Sequence, residues 1–399
     1  MTRRSTSNVD PDQVEPVPSN VDAVDRILAE AQVVVMSGPG GVGKTTTAAA
    51  LGLRAATVHQ RRVVVVTVDP ARRLAEALGV ARLTEEPVLV PVGGGDGRLW
   101  VLMVDMAKSW DELVVRHAPD PTVSEQLLAN RLYRTLTRRF VQSHDYIALD
   151  HLLLLAEQDR YDLVIVDTPP SRHALDLFDA PGRMIEFFES RLLRWLTAGT
   201  GLTSVAAKPF LAVAQRLLGD DFLTQIVDFF TLFAKLRPAF VARARAVGER
   251  LEDETTTYAV VTTTDPLVAE GCQDLIDELA RRGLIPGLLV LNRFPPTLRL
   301  RRVEDTDGTD GMDSADGQAG IGGTGGGASA GYVVEPAMTE ADVAAIEDPE
   351  LAAAVTDLVT GAGSARVPDV GEPSCPVVTV PWSAVDLADL DGLAALFPD

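Results

Sequence analysis

The sequence predicts an α/β protein on a doubly wound, mostly parallel sheet of about seven to eight strands. Three observations carry that prediction. Short Val- and Leu-rich runs recur along the chain without polar alternation, as strands buried on both faces do. Helical stretches separate these runs. A glycine-rich segment, VVVMSGPGGVGKTTTAAAL, joins the first run to an Ala-rich helical pattern.

The expected strands are Gln32–Met36, Arg62–Val68, Leu99–Val104, Leu163–Val166, Tyr258–Thr263, Leu288–Leu291 and Val377–Val380. A short helix through Ala31, capped by Asn20 or Asp22, is expected before the first of them. Residues 1–19 read as a polar, disordered N-terminal tail, and 20–399 as a single domain. Two helical insertions are expected at 109–159 and 183–251, the second holding MIEFFESRLLRWL and FLTQIVDFFTLFAKL. Residues 305–331, rich in Gly, Asp and Ser, read as a disordered acidic loop.

Composition narrows the function classes. The 399 residues carry a formal charge of −21. Residues 303–399 hold 19 of the 57 acids and one of the 36 bases, so the body before them is close to neutral. The acidic C-terminal part disfavours nucleic acid and anionic membranes. Cys272 and Cys375 are the two cysteines, far apart and without metal-ligand spacing, so no zinc or iron–sulfur site is expected. The start has no secretory leader pattern and no stretch approaches a membrane span, so a cytoplasmic protein is expected. Lysine is scarce, four residues against 32 arginines, an Arg and Ala bias of the kind a GC-rich genome produces. A lysine inside a motif therefore carries weight.

Lys44 is such a lysine. Gly38-x4-Gly43-Lys44-Thr45 fits the pattern G-x4-G-K-[ST]. Glycines let consecutive amides turn toward phosphates, and the following helix N-terminus adds its dipole. Gly38, Gly40, Gly41, Val42, Gly43, Lys44, Thr45 and Thr46 are the predicted phosphate-binding residues. Lys44 would reach the β- and γ-phosphates of ATP, and the Thr45 hydroxyl would take Mg²⁺. Asp69 in VVVVTVDPARRL and Asp167 in YDLVIVDTPPSRHAL each end a predicted parallel strand, facing the crevice where such sheets bind ligands. Asp167, after four apolar residues, would hold Mg²⁺, usually through water. Helix capping is the alternative for either carboxylate.

GGVGKTT, DPARRL and DTPPSRHAL, in that order, resemble the arsenical-pump and tail-anchored-protein-targeting ATPase family, of the deviant Walker A class of P-loop ATPases. The resemblance covers roughly 30–300, resumes at CPVVTVPW, and fits a bacterial, actinobacterial member. It implies that Asp69 is the switch I aspartate positioning the attacking water, and that Asp167, Thr168 and His173 belong to switch II. A packed or solvated His173 is the alternative to a relay role. It further implies that Asn292 reads the adenine, that Asp265 stands where a glutamate contacts the nucleotide, and that the helical insertions build a groove for a hydrophobic, membrane-protein-like client; helix-packing core is the alternative for their apolar stripes.

The departures are informative. The signature lysine that crosses the dimer to the opposite γ-phosphate is replaced by Pro39. The resemblance therefore points to a heterodimer with a paralogous ATPase that keeps the lysine. A homodimer in which Arg72 or Arg73 substitutes is the alternative. The CxxC zinc staple is absent, and two distant cysteines cannot form a thiolate cluster for arsenite. The expected function is a Mg²⁺-dependent dimeric ATPase that handles such a client, reaching membranes transiently through a partner. The alternatives are a non-catalytic nucleotide-binding subunit and a Min/Par-type positioning ATPase.

Overall fold

The computed structural model describes residues 20–67, 74–75, 78–80, 83–84, 86–93, 95–137, 144–168, 175–190, 220–295, 298–302, 332–337, 365, 367–370, 375–381 and 389–397. The tail 1–19, the acidic stretch 305–331, and Asp69, Arg72, Arg73 and His173 lie outside these residues.

Eight strands form one sheet. They are β1 (Val33–Ser37), β2 (Arg62–Thr67), β3 (Val88–Val90), β4 (Arg98–Met103), β5 (Leu163–Asp167), β6 (Thr256–Thr262), β7 (Pro286–Phe294) and β10 (Val377–Pro381), in the order β10-β7-β6-β1-β5-β2-β4-β3. All neighbours pair in parallel except β3, which runs antiparallel to β4. From β1 the chain fills one side with β2, β3 and β4, returns to β5 between β1 and β2, and then crosses β1 to add β6, β7 and β10 on the other side. Its strand order therefore reverses at β1, and in doubly wound sheets ligands bind in the crevice at such a point.

The consecutive valines follow from a sheet covered on both faces. Val33, Val35, Val64, Val66, Val164 and Val166 pack into one core, while Val34, Met36, Val63, Val65, Leu163 and Ile165 pack into the other. A strand alternates its side chains between faces, so two buried faces demand apolar residues at every position.

One core is closed by α1 (Asn20–Glu30), α2 (Lys44–Thr57) and the short α11 (Leu390–Ala394). The other is closed by the helices that lie between β4 and β6 in the chain. These are α3 (Met106–His117), α4 (Pro121–Ala129), α5 (Arg131–Thr137) and α6 (His144–Ala156) between β4 and β5, then α7 (Leu175–Glu189), α8 (Asp220–Lys235) and α9 (Arg237–Leu251) before β6. Helix α10 (Pro266–Arg281) returns the chain from β6 to β7.

Phe188, Phe229, Phe233 and Phe240 from α7, α8 and α9 are buried and in mutual aromatic contact. These four rings are core, whereas Phe187 beside them is 38% exposed. Buried Asp150 of α6 ties the layer together, accepting from Arg243 Nε at 2.6 Å and from an Arg116 guanidinium nitrogen at 3.2 Å.

Two features lie beyond the sequence-based expectation. The first is β3, three residues between Pro87 and Pro91. The second is a separate antiparallel hairpin of β8 (Leu298–Arg302) and β9 (Tyr332–Pro336), which pairs Arg302 with Tyr332 and Leu298 with Pro336. The hairpin sets the two flanks of the acidic stretch side by side.

Arg54 fastens the α1–α2–α11 layer. Its guanidinium donates to both carboxylate oxygens of Asp25 on α1, at 2.7 and 2.9 Å, and to the carbonyl of Phe397 at 2.7 Å. The Arg54 hydrogen bond holds the Asp25 carboxyl below its ordinary range against an opposing contribution from burial, and His59 lowers it further. A depressed carboxyl stabilises the fold above its unfolded value near about 3.9, and that stability is lost as pH falls through the folded pKa. Asp25→Asn is therefore expected to cost about 1 kcal/mol at pH 7, discounted for partial exposure. In urea titrations the gap from wild type should narrow as pH drops below about 4. An unchanged gap at pH 3 would contradict the linkage.

Candidate functional site: a phosphate loop at the head of the sheet

The glycine-rich segment turns between β1 and α2. Gly38, Gly41 and Gly43 have φ of 141°, 79° and 97°, values that residues with a Cβ rarely adopt. Gly43 is the residue before α2, and no side chain caps the first amides of the helix there. The loop descends to the sheet at Gly38, where a Cβ would lie 2.1 Å from the Val261 carbonyl oxygen of β6.

Lys44 is 6% exposed, and its ammonium donates to the carbonyls of Gly38 at 2.9 Å and Pro39 at 2.8 Å. The lysine thus spans the loop from its C-terminal side, its charge held within the turn. Pro39 contributes this carbonyl and no cation. Thr46 is half-buried on the first turn of α2.

The structure brings Thr45 and Asp167 together across the sheet. Thr45 Oγ1 donates to Asp167 Oδ2 at 2.7 Å, and Thr67 Oγ1 at the end of β2 donates to the same oxygen at 3.1 Å. The pairing follows from topology: Asp167 ends β5, between β1 and β2, so it faces the loop from one side and Thr67 from the other. Thr67 is a site neighbour that the sequence reading missed. Its signal was its place at the end of a Val run, two residues before Asp69.

A hydroxyl and a carboxylate within hydrogen-bond reach at a phosphate loop are hard oxygen donors. Their chemistry fits Mg²⁺, which takes one or two protein oxygens and completes its shell with water and phosphate. Thr168 Oγ1 instead donates to Met36 O at 2.6 Å, joining the end of β5 to β1.

Asp265 follows β6 by three residues, and Asn292 lies in β7 two residues before its end. The Asp265 carboxylate accepts from the amides of Leu267 and Val268 at 3.0 and 3.2 Å, the N-cap of α10, with Pro266 in the first turn. Asn292 Nδ2 donates to Val42 O at 2.7 Å, so this side chain touches the loop itself. The cysteines lie elsewhere in the fold. Cys272 on α10 and Cys375 before β10 are buried, and burial pushes both thiols up to about 12, so both are protonated at neutral pH. Among the described residues no group of three or more His, Cys, Asp or Glu is arranged to hold a metal ion, and no helix is long and apolar enough to cross a membrane.

A doubly wound parallel sheet whose first strand runs through G-x4-G-K-T into a helix defines a P-loop nucleotide-binding fold. Within that class the chain belongs to the anion-transporting ATPase family, whose model matches residues 31–300. It is 31% identical over 266 residues to an uncharacterized protein of Streptomyces coelicolor, covering 66% of this chain and 63% of the other. It is 26% identical over 269 residues to the ATPase GET3 of Malassezia globosa, covering 66% and 73%. It is 24% identical over 267 residues to an ATPase ASNA1 homolog of Entamoeba dispar, covering 66% and 76%.

Proposed function

We propose that this protein hydrolyses ATP in a Mg²⁺-dependent reaction and uses the cycle to open and close a dimer that handles a hydrophobic client. The observation that carries the reading is the convergence of the phosphate loop, Lys44 and the Thr45–Asp167 pair at the head of the sheet. Family membership supports the catalytic half of it.

The residues divide the work by their chemistry. Loop amides from Gly40 to Thr46 bind the polyphosphate, and Lys44 neutralises charge on its β and γ oxygens. Thr45 and Asp167 would hold Mg²⁺, which would supply positive charge to offset the negative charge developing during transfer. Asp69 is assigned by the resemblance to the attacking water, which adds to the γ-phosphorus as the bond to the leaving oxygen breaks. Asp265 and Asn292 remain candidates for nucleotide contact, and His173 for a relay in switch II.

Pro39 bears on assembly. With no cation at this position, a second copy of this chain cannot supply the trans charge from residue 39. A heterodimer with a lysine-bearing paralogue supplies it, and a homodimer would need Arg72 or Arg73 in its place. In the heterodimer, this chain's site would hydrolyse and the partner's would be impaired. The same proline favours a second reading, a nucleotide-binding subunit without turnover. The client half rests on the resemblance, with the exposed Phe187 among its candidate contacts.

Phosphate release measured with the chain alone and with its co-purified paralogue tests the proposal. Hydrolysis should require Mg²⁺. Asp69→Asn should retain ATP binding while losing about 10²-fold in kcat, the scale of a positioned proton acceptor. ATP binding without single-turnover hydrolysis beside the paralogue would establish the second reading. Wild-type turnover in Asp69→Asn would refute the assignment of Asp69.

A further inference from the structure

The phosphate loop is gripped from the β6–β7 side of the sheet at two points. At its start, Gly38 rests against the Val261 backbone. Near its end, the Asn292 amide holds the Val42 carbonyl at 2.7 Å. The orientation of that amide is set at both ends, because Arg293 N donates to Asn292 Oδ1 at 2.9 Å. A flipped amide would face Oδ1 to the Val42 carbonyl and Nδ2 to the Arg293 N–H, like against like. Arg293 itself has φ of 54°, a left-handed value that residues with a Cβ rarely adopt. Gly43 supplies the room: a Cβ there would come within 2.1 Å of Asn292 Nδ2.

The consequence lies in the peptide plane. The Val42 carbonyl and the Gly43 N–H belong to one trans peptide and point in opposite directions. A side chain that holds the carbonyl therefore sets the direction of that N–H. We propose that Asn292 is a positioning residue of the phosphate loop, fixing the Val42–Gly43 peptide so that the Gly43 amide is presented to a polyphosphate whatever base it carries. This deepens the proposed function and rests on it. It differs from a contact to adenine, because its effect passes through the phosphates and is blind to the base.

The test uses the full chain with Mg²⁺ and three probes, ATP, GTP and inorganic triphosphate, each titrated by calorimetry. Asn292→Ala should weaken all three by the same factor, about tenfold, the scale of one lost well-placed hydrogen bond. Asn292→Leu keeps much of the volume, removes the donor without adding charge, and should behave alike. It also serves if the alanine variant fails to fold. Amide exchange at Gly43 and Lys44, followed without nucleotide, should quicken in both variants. A loss confined to ATP, with triphosphate unaffected, would assign Asn292 to the base and overturn the proposal, as would unchanged affinities and exchange. A wild-type chain that binds none of the three probes would instead overturn the proposed function itself.

Discussion

Lys44→Ala is expected to lower kcat/KM for ATP hydrolysis by about three orders of magnitude while leaving the fold intact. Lys44 is 6% exposed, and its ammonium sits on the carbonyls of Gly38 and Pro39, inside the turn where the phosphates would lie. A cation already desolvated at that position costs little reorganisation when negative charge develops beside it, the condition under which such groups are worth most. Lys44→Arg should not restore activity. The planar guanidinium is larger and cannot place a compact charge in a turn built around a single ammonium. Phosphate release under saturating Mg²⁺-ATP, with thermal unfolding as the control for structure, decides the matter. Full activity in Lys44→Ala would remove the loop from the chemistry.

Gly38→Ala is expected to cost about 3 kcal/mol of stability and to abolish tight nucleotide binding, because two penalties coincide there. The added Cβ would stand 2.1 Å from the Val261 carbonyl, a backbone atom in a central strand that cannot swing aside. The φ of 141° adds conformational strain. Gly41→Ala is the comparison that separates the two effects. Gly41 has open space around its Cβ position but φ of 79°, so its alanine variant should cost only about 1 kcal/mol. Urea midpoints of the two variants give the difference. Equal losses would mean that strain alone governs the loop.

The parts of this protein legible in its sequence are those where physics leaves few alternatives. Val63 to Val66 are β-branched and apolar at four consecutive positions, which favours a strand covered on both faces, and both cores claim them alternately. The loop was legible for a similar reason, since three positive-φ positions require glycines at fixed intervals. Residues 88–90 escaped because three residues between prolines carry no period to detect. The hairpin of β8 and β9 escaped because its partners are separated by the acidic stretch, and register between distant segments is a tertiary property. Thr67 and Asn292 show the limit at the site. Each acts through a contact set by sheet order, to Asp167 in one case and to Val42 in the other, and sheet order cannot be read from either residue's neighbours. Asp265 carries two pulls in one residue type: an aspartate before proline at a helix start is a cap, whatever else it does.

The pairing of Arg302 with Tyr332 holds two points of the chain, thirty residues apart in number, at the distance of neighbouring strands. A flexible segment inserted between ends held in this way is expected to cost only a logarithmic entropy, about 0.6 kcal/mol per doubling of its length. The hairpin is therefore the expected port of this fold, where an added domain or purification handle should leave the contacts of Lys44, Thr45 and Asp167 in place.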